Sequence, residues 1–288
     1  MTATADVLSI DNLTKLPVEE QHGHHHHSGF EHAVSQQNLL GLERDAKSLL
    51  PVSSLSALNP RVLKICAIRV QFKYEEPDDP NTTGRGHFDF RDYDTFVAEE
   101  RHAVDPAPHN RRYFGKHIEA LHNYWYTVSG GKVILTGDVY PLIDDSVYTL
   151  DQTMGFYGSQ EPANGLGQFF YDALRLADKD DDINWNEYDV FMVFHAGSDR
   201  QNDLGFPETS SDLFTGFLIM GAPVPVEDST IGILEGIVMP ETVSQDNRAN
   251  ALNAVMAHEF GHQLGLVDLY DTRTFTTFIG DYSLMDNN

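Results

Sequence analysis

His258-Glu259-Phe260-Gly261-His262-Gln263-Leu264-Gly265-Leu266-Val267-Asp268 is the stretch around which this chain is organised. Its first five residues read H-E-x-x-H. On a helix, residues four apart lie on one face about one turn up, so the two imidazoles can converge on a single metal ion. Glu259 projects roughly 100° away and can reach a water at that ion without becoming a ligand. Gly265 permits the left-handed turn that ends a helix. The chain can then double back and bring Asp268 up as a third ligand. Three protein ligands and one open position are the usual arrangement of a catalytic zinc site.

The flanking residues suit such a helix. Leu252, Met256, Phe260 and Leu264 recur every four residues as an apolar stripe, and Ala251, Val255, His258 and His262 share the opposite side. One face can therefore pack on a core while the other presents ligands. The polar run Ser244-Gln245-Asp246-Asn247 supplies N-cap candidates. The competing reading is an ordinary helix in which two histidines fall four apart by chance. Gly265 and Asp268 at the expected offsets argue against it. A glutamate on a later helix, the other common third ligand, is excluded because no Glu follows Glu259.

Further out, composition bounds the rest. At 288 residues the chain can bury a full core as one large domain or two lobes. Its 44 acidic residues against 19 basic ones leave a net charge of −25. Such a surface repels nucleic acid and anionic membrane, so neither is expected as a partner. Cys66 is the only cysteine and sits in an apolar run, which reads as a buried, inert thiol with no internal disulfide. No stretch reaches transmembrane length, and no signal peptide is recognisable at the N-terminus.

Residues 1–57 are polar and carry His22, His24, His25, His26 and His27, a tract able to bind metal or to serve as a spacer. The segment reads as a separate, mostly irregular or helical N-terminal region, compatible with a pro-region. The globular domain, residues 58–288, opens with a strand over Val62–Phe72. Phe114, Ile118, Leu121, Trp125 and Val128 fall at helical spacing, with Gly130-Gly131 to end the helix. Strands follow at Val133–Val139, Val190–Phe194 and Ile231–Met239, the last expected near a sheet edge, and a helix spans Leu166–Ala177. His195 closes one strand and reads as a hydrogen-bonded structural residue. Between that helix and strand, Asp178, Asp180, Asp182, Asn184 and Asp189 are spaced as candidate calcium ligands. Ile183 stands where such a loop needs Gly and Asp189 where it needs Glu, so a solvated acidic turn is the alternative.

The motif His258-Glu259-x-x-His262-x-x-Gly265-x-x-Asp268, continuing Leu269-Tyr270-Asp271, resembles the immune inhibitor A family of zinc metallopeptidases. Ile279-Gly280-Asp281-Tyr282-Ser283-Leu284-Met285-Asp286 resembles that family's Met-turn segment, and softer matches run through Asn123-Tyr124-Trp125 and His195-Ala196-Gly197. The resemblance implies an α+β zincin fold, metzincin-like, with a twisted mixed sheet, a backing helix, an active-site helix and an edge strand to which peptide adds. It implies His258, His262 and Asp268 as zinc ligands, Glu259 as general base and Met285 beneath the zinc. Secreted enzymes with pro-regions and calcium sites are also implied. The sequence departs from the family in having Val267 where Pro is usual, and in ending at Asn288, before most of the family's C-terminal subdomain.

The expected function is thus a zinc-dependent endopeptidase acting on protein or peptide substrates outside the cell, through a zinc-activated water and Glu259. Two rivals are an inactive, truncated zincin-like module for metal binding or interaction, and a metal-storing protein centred on the histidine tract.

Overall fold

A computed structural model of the protein describes residues 60–203, 211–271 and 276–286. The histidine tract, the suggested pro-region and the boundary at residue 57 lie outside the described residues.

The centre of the sheet is β1 (Arg61–Gln71), whose run Ile65-Cys66-Ala67-Ile68 is wholly buried, as expected of a strand covered on both faces. It pairs in parallel with β2 (Val133–Tyr140), with the short β3 (Tyr148–Thr149) and with β4 (Val190–His195). Beyond β4 lies β6 (Ile231–Pro240), also parallel, and then β5 (Gly216–Val226), which runs antiparallel and forms the edge. The order β2-β1-β4-β6-β5 makes a mixed sheet. Strand β6, expected near an edge, is interior. The edge belongs to β5, where Pro223 and Pro225 and a register shift between Ile219 and Val224 are tolerated because one side of the strand needs no ladder partner.

Among the described residues the α-helices are α1 (Tyr93–Glu100), α2 (Arg111–Val128), α3 (Met154–Gly158), α4 (Pro162–Ala177) and α5 (Leu252–Gln263). Phe194 of β4 meets Phe114 of α2 at 4.5 Å between rings, whereas His195, the next residue, meets Phe169 of α4 at 5.7 Å. Consecutive strand residues point to opposite faces, so α2 and α4 cover opposite faces of the sheet. His195 is fully buried among Phe72 and Phe169, and that burial depresses its imidazole to about 4.

Helix α2 begins at Asn110, whose side chain accepts from the amides of Arg112 and Tyr113. It ends with Gly130 and Gly131, both at positive φ, donating back to Thr127 and Tyr126. Trp125 then packs on Phe260, which seats α5 against α2. The N-terminus of α5 is capped from a distance. The run Ser244–Asn247 lies upstream of the helix and gives no cap, and Ala251 at the cap position has no side chain to offer. Instead the Leu252 amide donates to Asp105 Oδ2 at 2.6 Å, a carboxylate at the positive end of the helix dipole. His117 of α2, bonded to Asn253 at 2.6 Å, closes the same corner.

Candidate metal centre

Helix α5 presents His258 and His262 one turn apart, their rings edge-on at 4.9 Å. Its end follows from Gly265, at φ +94: the Gly265 amide donates to His262 O and the Leu266 amide to Gly261 O, the paired bonds of a Schellman turn. That reversal carries the chain back across the helix. Asp268 Oδ1 arrives 3.2 Å from His258 Nε2 and 3.2 Å from His262 Nε2.

Each imidazole is oriented by its other nitrogen. His258 Nδ1 donates to Leu284 O at 2.8 Å, and His262 Nδ1 donates to Leu266 O at 3.0 Å. With one proton held on Nδ1, Nε2 becomes the electron-pair donor of each ring once its own proton is displaced. Burial works against a charge on His258, yet the Asp268 carboxylate and then Glu259 outweigh it and raise the imidazole to about 9. His262 is raised for the same reasons, and the two imidazoles hold Asp268 well below the usual carboxylate range against its own burial. The acidic groups beside the two imidazoles therefore favour positive charge at this point.

Zinc bonds of about 2.0–2.2 Å at tetrahedral angles put neighbouring ligand atoms about 3.3 Å apart. The two nitrogen–oxygen separations of 3.2 Å match, and the three donor atoms all lie within 4.8 Å of one another. His258, His262 and Asp268 could hold a metal ion.

Glu259 is buried beside them without joining the set. Its Oε2 accepts from the backbone amide of Phe217 on β5 at 2.8 Å. Residues of a strand alternate in pointing their amides toward and away from a given neighbour, so Phe217 turns its N–H out of the β5–β6 ladder toward α5. This contact between the edge strand and the motif glutamate has no signature in side-chain pattern.

Met285 is buried and lies against Gly261. A Cβ on Gly261 would come within 2.6 Å of Met285 Sδ and 3.5 Å of Trp125, so the residue between the two histidines must be small. The Met285 carbonyl accepts from Leu269 at 2.7 Å, next to Asp268, and the preceding carbonyl is the one that orients His258. Asp286 shapes this segment by gathering the amides of Phe278, Ile279 and Gly280 on Oδ2.

The candidate calcium residues are not gathered. Asp178 accepts from the Glu227 amide and pairs with Arg175, Asp180 takes the Tyr148 hydroxyl and the Asp182 amide, and Asp189 accepts from the Lys64 amide. Asn184 donates to Glu187. Among the described residues only His258, His262 and Asp268 form a group with metal-ligand spacing. Oxygens of Asp178, Asp180 and Asp189 are thus engaged by the protein itself.

Residues 165–287, which contain α5, the edge strand and the Met285 segment, match the family of the immune inhibitor A peptidase M6 catalytic domain. This segment is similar to that catalytic domain. The chain accordingly carries a metallopeptidase domain, whose substrates are proteins. A comparison with curated proteins returns no match. Among the described residues no helix is long and apolar enough to cross a membrane.

Proposed function

We propose that this chain is a zinc-dependent endopeptidase of zincin fold, its peptidase domain spanning residues 58–288 and acting outside the cell. His258, His262 and Asp268 are its zinc ligands, Glu259 its general base and Met285 its Met-turn residue. The observation that carries the reading is the convergence of two oriented Nε2 atoms and one carboxylate oxygen with Glu259 beside them.

Bound there, zinc would lower the pKa of a water toward neutrality and polarise the scissile carbonyl. The remaining work falls to the chain's own groups. The carbonyls of Leu284 and Leu266 hold the imidazoles as donors through Nε2. Asp268 contributes negative charge, which would make a bound zinc a weaker Lewis acid than three histidines would. Glu259, held through Oε2 by Phe217, takes a proton from the attacking water and passes it to the leaving amine nitrogen. The peptide would lie along β5, which among the described residues has no strand partner on its outer side.

Metal analysis of zinc-loaded, dialysed protein tests this assignment. One zinc per chain is expected, lost in His262→Ala and retained in Glu259→Gln. Several zinc ions per chain that survive His262→Ala would move the metal to the histidine tract and overturn the reading.

A further inference from the structure

Phe217 holds the proposed general base, yet Phe217 lies on an edge strand with a ladder on one side only. The start of that strand is secured in another way. Thr215, two residues before Phe217, is buried and donates its hydroxyl to Asp199 Oδ2 at 2.5 Å. Its amide donates to Gln201 Oε1 at 2.8 Å, and the Gln201 side-chain amide donates back to the Thr215 carbonyl. Asp199 is itself fully buried. Its Oδ1 accepts both the backbone and side-chain N–H of Asn202, at 3.0 and 2.7 Å, and its carbonyl accepts from Gln245 at 2.7 Å. One hydrogen bond from Arg200 N to Leu213 O at 2.9 Å completes the link between the two segments.

Thr215 is thus gripped at its hydroxyl, its amide and its carbonyl by a loop outside the β5–β6 ladder. Burying the Asp199 carboxylate costs several kcal/mol unless its oxygens are satisfied. The three bonds it accepts meet that need only when Thr215 and Asn202 are in place. A loop anchor of this kind is discrete: it holds one position or is lost.

We propose that Asp199, Gln201 and Thr215 form a clamp that positions Glu259, by fixing the start of β5 so that the Phe217 amide meets the Glu259 carboxylate. The inference rests on the peptidase reading for its catalytic consequence, though not for its geometry. These are positioning residues, for none of them touches the three ligands.

The test is Thr215→Val, which keeps the shape and deletes the hydroxyl, beside Thr215→Ser, which restores it. Both are made in the full zinc-loaded chain. Three quantities are read: zinc content, kcat and KM on a fluorogenic peptide, and hydrogen exchange at the Phe217 amide. Thr215→Val should retain one zinc and its KM while kcat falls on the order of ten- to a hundred-fold, the scale expected of a misplaced catalytic group. Exchange at Phe217 should quicken at least about ten-fold while the interior of β1 stays protected, since only a local opening is involved. Thr215→Ser should recover both. Three results would overturn the clamp: wild-type kcat and protection in Thr215→Val, equal impairment in the serine variant, or zinc and global protection lost together. If the wild-type protein proves inactive, Phe217 exchange still decides the clamp: faster exchange in Thr215→Val and in Glu259→Ala supports it, and unchanged exchange in either refutes it.

Discussion

Gly261 sits between the two histidines, and replacing it by alanine sets two known effects against each other. Alanine in a helix interior is favoured over glycine by up to about 1 kcal/mol. The new Cβ, however, would stand 2.6 Å from Met285 Sδ and 3.2 Å from its Cε. Ordinary contact begins near 3.4 Å, so the thioether must withdraw by close to an ångström. Overpacking of this kind costs about 1–3 kcal/mol, and a buried Met285 with Trp125 beside it cannot swing fully clear, which puts the cost near the middle of that range, about 2 kcal/mol. The clash therefore outweighs the propensity. Gly261→Ala should destabilise the protein by about 1 kcal/mol, or about 2–4 °C in Tm for a domain of this size. The displacement also travels. Leu284 O orients His258 and Met285 O holds the strand beside Asp268, so zinc affinity should fall about ten- to a hundred-fold. Urea unfolding with a zinc-competition titration measures both. In a Met285→Ala background the sign should reverse, alanine at 261 becoming neutral or stabilising. A Gly261→Ala protein more stable than wild type, with Met285 intact, would refute the packing described for the Met285 segment.

Three other outcomes follow from particular contacts. Asp105→Ala removes the remote cap of α5 and should cost about 1 kcal/mol in urea unfolding, with Asp105→Asn costing less. Buried His195 is neutral down to about pH 4 in the folded chain but takes a proton near 6.5 when unfolded. Stability should therefore fall by about 3 kcal/mol as pH drops from about 6.5 to 4. His195→Leu should flatten that slope in zinc-free protein, and an unchanged slope would mean another group is responsible. Chelation should lower Tm, and zinc at a hundred times its Kd should restore about 2.7 kcal/mol.

The convergence of His258, His262 and Asp268 was legible because its causes are local. Four-residue spacing, a glycine at the turn and an aspartate three residues later decide where the donors meet, and the Schellman bonds at Gly265 express that spacing directly. Strand β1 and helices α2 and α4 were legible for the same reason, each carrying its own periodicity. What escaped is non-local. The cap of α5 comes from Asp105, 147 residues earlier, and no pattern around Leu252 announces it. Edge strand β5 was hidden by Pro223 and Pro225, which speak against a strand until its edge position is known. The bond from Phe217 to Glu259 uses a backbone amide, which every residue but proline possesses, so its sequence is silent. In the acidic turn the spacing suggested calcium, but the oxygens of Asp178 and Asp189 are taken by amides at Glu227 and Lys64, far along the chain.

The most direct test of the catalytic account is hydrolysis of labelled casein by zinc-loaded protein and by Glu259→Gln at equal zinc content. The glutamine keeps the shape of Glu259 and cannot accept the water's proton, so the rate should fall about a hundred- to ten-thousand-fold while zinc stays at one per chain. Casein cleaved equally fast by the two proteins, at the same zinc occupancy, would contradict the role assigned to Glu259.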